Sequence, residues 1–83
     1  MYLQPIAVTW LDSEQPVQDW EWIEEIDKRE CLTITSIGYY VYHTQDTLAL
    51  SISKAATKSG KWMVNGLLRI PYVALVEYKW IAL

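Results

Sequence analysis

The 83-residue chain contains one cysteine, Cys31, one histidine, His43, and no phenylalanine. A single cysteine excludes a disulfide within the chain, and a reducing, cytosolic setting is the expectation. One Cys and one His fall short of the four ligands of a structural zinc site, so neither metal nor cofactor is expected. The three glycines, Gly38, Gly60 and Gly66, stand apart, which excludes a glycine-rich phosphate loop. No apolar run reaches the ~20 residues that a membrane-crossing helix requires. Ile70 to Leu83 is apolar, but Pro71, Glu77 and Lys79 interrupt it. Met1 to Trp10 has no basic stretch followed by a long apolar run, so no signal peptide is expected.

Catalysis by a nucleophile requires a Ser, Cys or Thr beside an oriented base. His43 is the only imidazole, and its place in a polar turn reads as structural. Cys31 opens a strand and reads as a half-buried thiol. The carboxylates cluster in one segment, where a solvated face is the default over an acid–base pair. No catalytic residue is therefore assigned, and the chain reads as a binding protein.

What the chain does have is bulk: 52% of it is hydrophobic, with five Trp and six Tyr. A chain of this length buries only ~60% of the surface exposed when unfolded. Small domains usually make up the deficit with disulfides, a metal or a partner subunit. With the first two excluded, dense packing or a homo-oligomer remains. Trp and Tyr suit either, since each carries a large apolar body and a polar tip.

The strand signals are short and numerous. Ile6 to Leu11 is β-branched and aromatic, and reads as a first strand. After a loop containing Pro16, Asp19 is placed to N-cap a short helix from Trp20 to about Asp27. Trp22, Ile23 and Ile26 would share one side of it, as core packing. Cys31 to Tyr42 alternates as a long second strand. Gly38 would supply a bend or bulge there, and Tyr40 and Tyr42 would share a face. His43 to Asp46 reads as a turn, Leu48 to Ser53 as a third strand, and Lys54 to Lys61 as a polar loop. Trp62 to Ile70 is a fourth strand whose Asn65-Gly66 pair suits a hairpin turn or, preferably, a bulge. Pro71-Tyr72 makes a break, and Val73 to Tyr78 a fifth strand. The expectation is a single, mainly β domain over 1–83, with one short helix inserted between strands one and two. The five-stranded barrel would be closed or nearly so, because closure removes exposed strand edges. This order resembles the SH3-like and Sm-like small barrels, with Ile70-Pro71-Tyr72 as the break before strand five.

Val8-Thr9-Trp10-Leu11-Asp12, Trp20, Thr35-Ser36-Ile37-Gly38-Tyr39, Asp46, Leu48-Ala49-Leu50 and Leu68-Arg69-Ile70-Pro71 follow one another along most of the chain. In that order they resemble short proteins encoded by bacteriophages and prophages. The resemblance implies a setting, the cytoplasm of an infected bacterium. It carries over no catalytic or ligand-binding motif.

Two surfaces are candidate sites. The net charge of −3 divides unevenly: residues 1–30 hold eight acids against Lys28 and Arg29, and residues 31–83 hold two acids against five basic residues. An acidic face carrying Glu14, Asp19, Glu21, Glu24 and Glu25 would steer towards a basic partner, such as a host protein. An aromatic and basic surface would combine Tyr40, Tyr42 and Trp62 with Lys54, Lys58, Lys61 and Arg69. Flat rings stack on bases and lysines neutralise phosphates, so a small nucleotide is the ligand class this set would take. The first expectation for these aromatics is core or subunit interface, with the ligand site second. The acidic balance argues against long nucleic acid, whose affinity depends on many phosphate contacts. Three functions follow as expectations: a phage accessory protein that inhibits a host defence or regulatory factor, a sponge for a nucleotide messenger, or an Sm-like nucleic-acid binder.

Overall fold

In the computed structural model, residues 3–12, 20–26, 28 and 30–82 are described. Five antiparallel strands make one sheet: β1 (Pro5–Asp12), β2 (Leu32–His43), β3 (Thr47–Ala56), β4 (Trp62–Pro71) and β5 (Leu75–Trp80). Their order across the sheet is β4-β3-β2-β1-β5. The first four strands are neighbours in chain order, and β5 returns to pair with β1. A 3₁₀ turn, Tyr72–Ala74, follows Pro71 and separates β4 from β5. Its entry is fixed by the Tyr72 N–H, which donates to the Asp46 carbonyl at 2.9 Å in the β2–β3 turn.

β2 changes neighbours along its length. Leu32 to Tyr39 pair with β1, whereas β3 pairs only with Tyr39 to His43. Gly38 stands at the handover. A Cβ there would lie 2.5 Å from the Ser51 carbonyl oxygen and 2.9 Å from Leu50 Cδ1. The expected bulge at Gly38 is absent, since its register with β1 runs on unshifted. Only glycine lets the backbone of β3 come this close.

The core is small. Ile6, Val8, Leu48, Leu50 and Ile70 form its buried cluster, with Trp10, Tyr40, Leu68, Tyr72 and Leu75 packed around it. β1 and β4 both contribute, although a flat sheet would hold them three strand spacings, ~14 Å, apart. The sheet is therefore curled over its own core. It is not closed: β4 and β5 are its two edges and do not pair with each other. A closed barrel is thus corrected to an open, curled sheet.

Beyond Ser51, β3 and β4 leave the core as a two-stranded arm. Ile52 to Ala56 and Trp62 to Gly66 are exposed. This corrects the polar loop expected at Lys54 to Lys61, because Lys54, Ala55 and Ala56 continue β3 in register with Val64, Met63 and Trp62. The turn is confined to 57–61, where the Thr57 N–H donates to the Lys61 carbonyl at 2.8 Å. Neither hairpin nor bulge occurs at Asn65-Gly66, as the register passes from Ser51↔Leu67 to Ser53↔Asn65 unchanged. Gly66 adopts φ +70° and leaves the Ile52 side chain the space that a Cβ would fill, at 2.7 Å. With the arm included, the molecule measures 60 × 24 × 22 Å. Its radius of gyration of 17.1 Å exceeds the ~12 Å of a compact globule of this length.

The helix expected over Trp20 to Asp27 is also corrected. Only a three-residue 3₁₀ turn, Ile23–Glu25, is described there. Trp22 and Ile23 are 75% and 82% exposed, so the segment is not core packing. One turn fixes several dihedrals for a single hydrogen bond and needs a docking surface to persist as a longer helix. Asp19, expected as its cap, and Glu14 lie outside the described residues.

Candidate functional site

The alternation of a regular strand would put Tyr40 and Tyr42 on one face and His43 on the other. A β-bulge at Val41 undoes this. Tyr40 pairs with Leu50, but Tyr42 pairs with Ala49 and His43 with Leu48. One extra residue inverts every side chain after it. Tyr40 and His43 therefore share the face of Leu48 and Leu50, the core face. Tyr42 goes to the opposite face, in line with Ala49 and Arg69, where the Arg69 Nε–H donates to Tyr42 Oη at 2.8 Å.

The last strand completes the site. Val8 pairs with Tyr78 and Ile6 with Trp80, which sets both rings on the core face. Tyr72 reaches the same end of the core from the 3₁₀ turn. Together Ile6, Tyr40, His43, Leu48, Tyr72, Tyr78 and Trp80 line a pocket of about 290 Å³. Its floor is aliphatic and its walls are aromatic. Tyr40 and Trp80 stand edge to face, 5.4 Å between centroids at 72°, and Tyr78 meets Trp80 at 6.1 Å and 79°. Tyr40 Oη and His43 Nδ1 share a hydrogen bond of 2.5 Å. The lining therefore offers ring surface, phenol groups and an imidazole, with no lysine or arginine among these residues. Tyr78 and Trp80 are about half exposed, which leaves the pocket open to solvent.

The aromatic and basic residues expected as one surface are divided in three. Tyr40 belongs to the pocket, and Tyr42 with Arg69 to the opposite face. Lys54 and Trp62 lie on the β3–β4 arm, where Lys54 Nζ sits 4.7 Å from the Tyr39 ring centroid and 5.2 Å from that of Trp62. The Lys54 ammonium also lies 3.5 Å from the Leu3 carbonyl. Lys58 and Lys61 are exposed within the 57–61 turn. Of the acidic set, Glu21, Glu24 and Glu25 are exposed beside and within the first 3₁₀ turn.

Sequence reasoning missed His43, Tyr72, Tyr78 and Trp80 as site residues. A signal existed for two of them: Tyr78 and Trp80 occupy alternate positions of the last strand. No pattern marks the Val41 bulge that brings Tyr40 and His43 to the same side.

A second hollow, of about 480 Å³, opens where β2 and β3 part, between Ser36, Ile37, Ile52 and Gly66. Ser51 lines it, and its Oγ is buried without a hydrogen-bond partner. Cys31 is exposed just before β2 rather than half-buried. Among the described residues no helix is long and apolar enough to cross a membrane. No family model, curated protein or solved structure matches the chain.

Proposed function

We propose that the chain is a non-enzymatic binding domain, a phage accessory protein that seats part of a host factor in the aromatic pocket and thereby inhibits it. The observation that carries this reading is the pocket itself. Four large aromatic side chains converge at the open end of a very small core: Tyr40 and Tyr72 pack against it, while Tyr78 and Trp80 stay about half exposed where burial would stabilise the fold. A pocket with an apolar floor and a few convergent polar groups is the usual form of a ligand site. The strand order, the curled sheet and the 3₁₀ turn before the last strand support an SH3-like or Sm-like fold family, with the sheet left open between β4 and β5. The phage-like order of sequence pieces supports the setting, the cytoplasm of a host bacterium. The exposed apolar arm, with Ile52, Trp62, Met63 and Val64, supports a homo-oligomer in which a second copy covers it.

Affinity capture from bacterial lysate tests the reading. Wild-type protein is expected to retain a specific host protein that the Trp80→Ala variant releases. A partner indifferent to Trp80, Tyr78, Glu21, Glu24 and Glu25 alike would refute it.

A second reading, a sponge for a nucleotide messenger, has one observation in its favour. Lys54 lies against two aromatic rings, an arrangement able to hold a base and a phosphate together. Thermal shift with a nucleotide panel checks it, since ligand at 100 times its Kd adds ~2.7 kcal/mol of stability.

A further inference from the structure

We propose that the aromatic pocket takes an alkylated ammonium group, the trimethylammonium head of a small molecule or of a methylated lysine side chain. The inference rests on the binding reading above and names the chemistry of its ligand.

Size is the first argument. At about 290 Å³ the pocket lies at the lower end of ligand sites, roughly 300–1,000 Å³, which suits a head group better than a whole nucleotide. Charge is the second. No lysine or arginine lines it, so no ammonium or guanidinium there pairs with a phosphate or carboxylate, and the chain carries −3 overall. The cations once expected beside Tyr40 are elsewhere, Arg69 on the opposite face and Lys54 on the arm.

Ring geometry is the third argument. Tyr40, Tyr78 and Trp80 meet at 72° and 79°, so they stand as walls around a space and do not stack on one another. An aromatic ring is negative over its face, and several rings set at steep angles present that potential from several sides at once. A trimethylammonium group is round, cationic and weakly hydrated. It gains from ring faces and apolar floor together, whereas a primary ammonium would keep its water.

Titration calorimetry with choline and with its uncharged carbon isostere, in which a tert-butyl group replaces trimethylammonium, separates charge from shape. Choline is expected to bind about five- to thirty-fold more tightly, the range set by cation–π contacts. In Trp80→Leu, which keeps apolar bulk and removes the ring, the preference should fall within about two-fold. Trp62→Leu, on the arm, should leave it intact. A trimethyllysine peptide identifies the source: tighter binding than choline assigns the group to a partner's side chain, and equal binding assigns it to a free head group. Equal affinity for choline and the isostere overturns the proposal, as does binding of neither ammonium probe, or a preference that survives Trp80→Leu. If a host protein is still captured through Trp80 in those cases, the binding reading stands and only its ligand chemistry falls.

Discussion

Replacement of Gly38 by alanine tests how β2 and β3 are held together. The methyl carbon would sit 2.5 Å from the Ser51 carbonyl oxygen, 2.9 Å from Leu50 Cδ1 and 3.3 Å from the Ser51 carbonyl carbon. Two of these three atoms are backbone, so a rotamer change cannot relieve the overlap. The strands must separate at the residue where β2 passes from β1 to β3, loosening the Tyr39↔Ser51 and Tyr40↔Leu50 pairs. Overpacking of a fitted site costs about 1–3 kcal/mol. With backbone in the way the upper part of that range applies, about 2–3 kcal/mol. For a domain of this size each kcal/mol moves Tm by roughly 4–8 °C, so Gly38→Ala should melt about 10–20 °C lower. Gly66→Ala gives a useful contrast. There the crowding is all from the Ile52 side chain, but φ is +70°. The left-handed backbone costs an L-residue about 1–2 kcal/mol, and a second change, Ile52→Ala, should recover only the steric remainder. Urea unfolding followed by circular dichroism measures both. A Gly38→Ala variant within ~0.5 kcal/mol of wild type would refute the close approach. Full rescue of Gly66→Ala by Ile52→Ala would refute the backbone part.

Other outcomes follow from the core and the arm. Ile70, 1% exposed against Leu48, should cost about 2–5 kcal/mol on truncation to alanine, enough to unfold much of the protein by urea titration. Ser51→Ala should raise stability by about 1 kcal/mol in the same assay, because a buried, unpartnered hydroxyl is removed. Sedimentation equilibrium should give a mass above that of one 9.7 kDa chain, and Trp62→Glu, placing a charge on the exposed arm, should lower it. A monomeric wild type at high concentration would remove the homo-oligomer from the proposal.

Much of the architecture was legible in the sequence. Alternation in Leu48 to Ser53 and β-branched and aromatic runs elsewhere place all five strands, and Pro71 marks the break before the last. These are local signals, set by the two-residue period of a strand and by the fixed φ of proline. The boundaries shifted where hydrogen bonding overrode composition, as in Lys54 to Ala56, polar by sequence but paired with Trp62 to Val64. The short helix failed for the opposite reason: Trp22, Ile23 and Ile26 have helical spacing, but Trp22 and Ile23 stay 75% and 82% exposed among the described residues.

The site was less legible. The sequence by itself determined the chemical stock, which is many Trp and Tyr, one His, and acids gathered ahead of β2. It also determined that these rings would alternate along strands. Which rings meet was decided only by tertiary structure. A single extra residue at Val41 turns Tyr40 and His43 to one side and sends Tyr42 to Arg69 on the other. The return of β5 beside β1 then sets Tyr78 and Trp80 over Val8 and Ile6. Register and strand order are long-range properties, fixed by how five strands curl around a small core, and no local pattern encodes them.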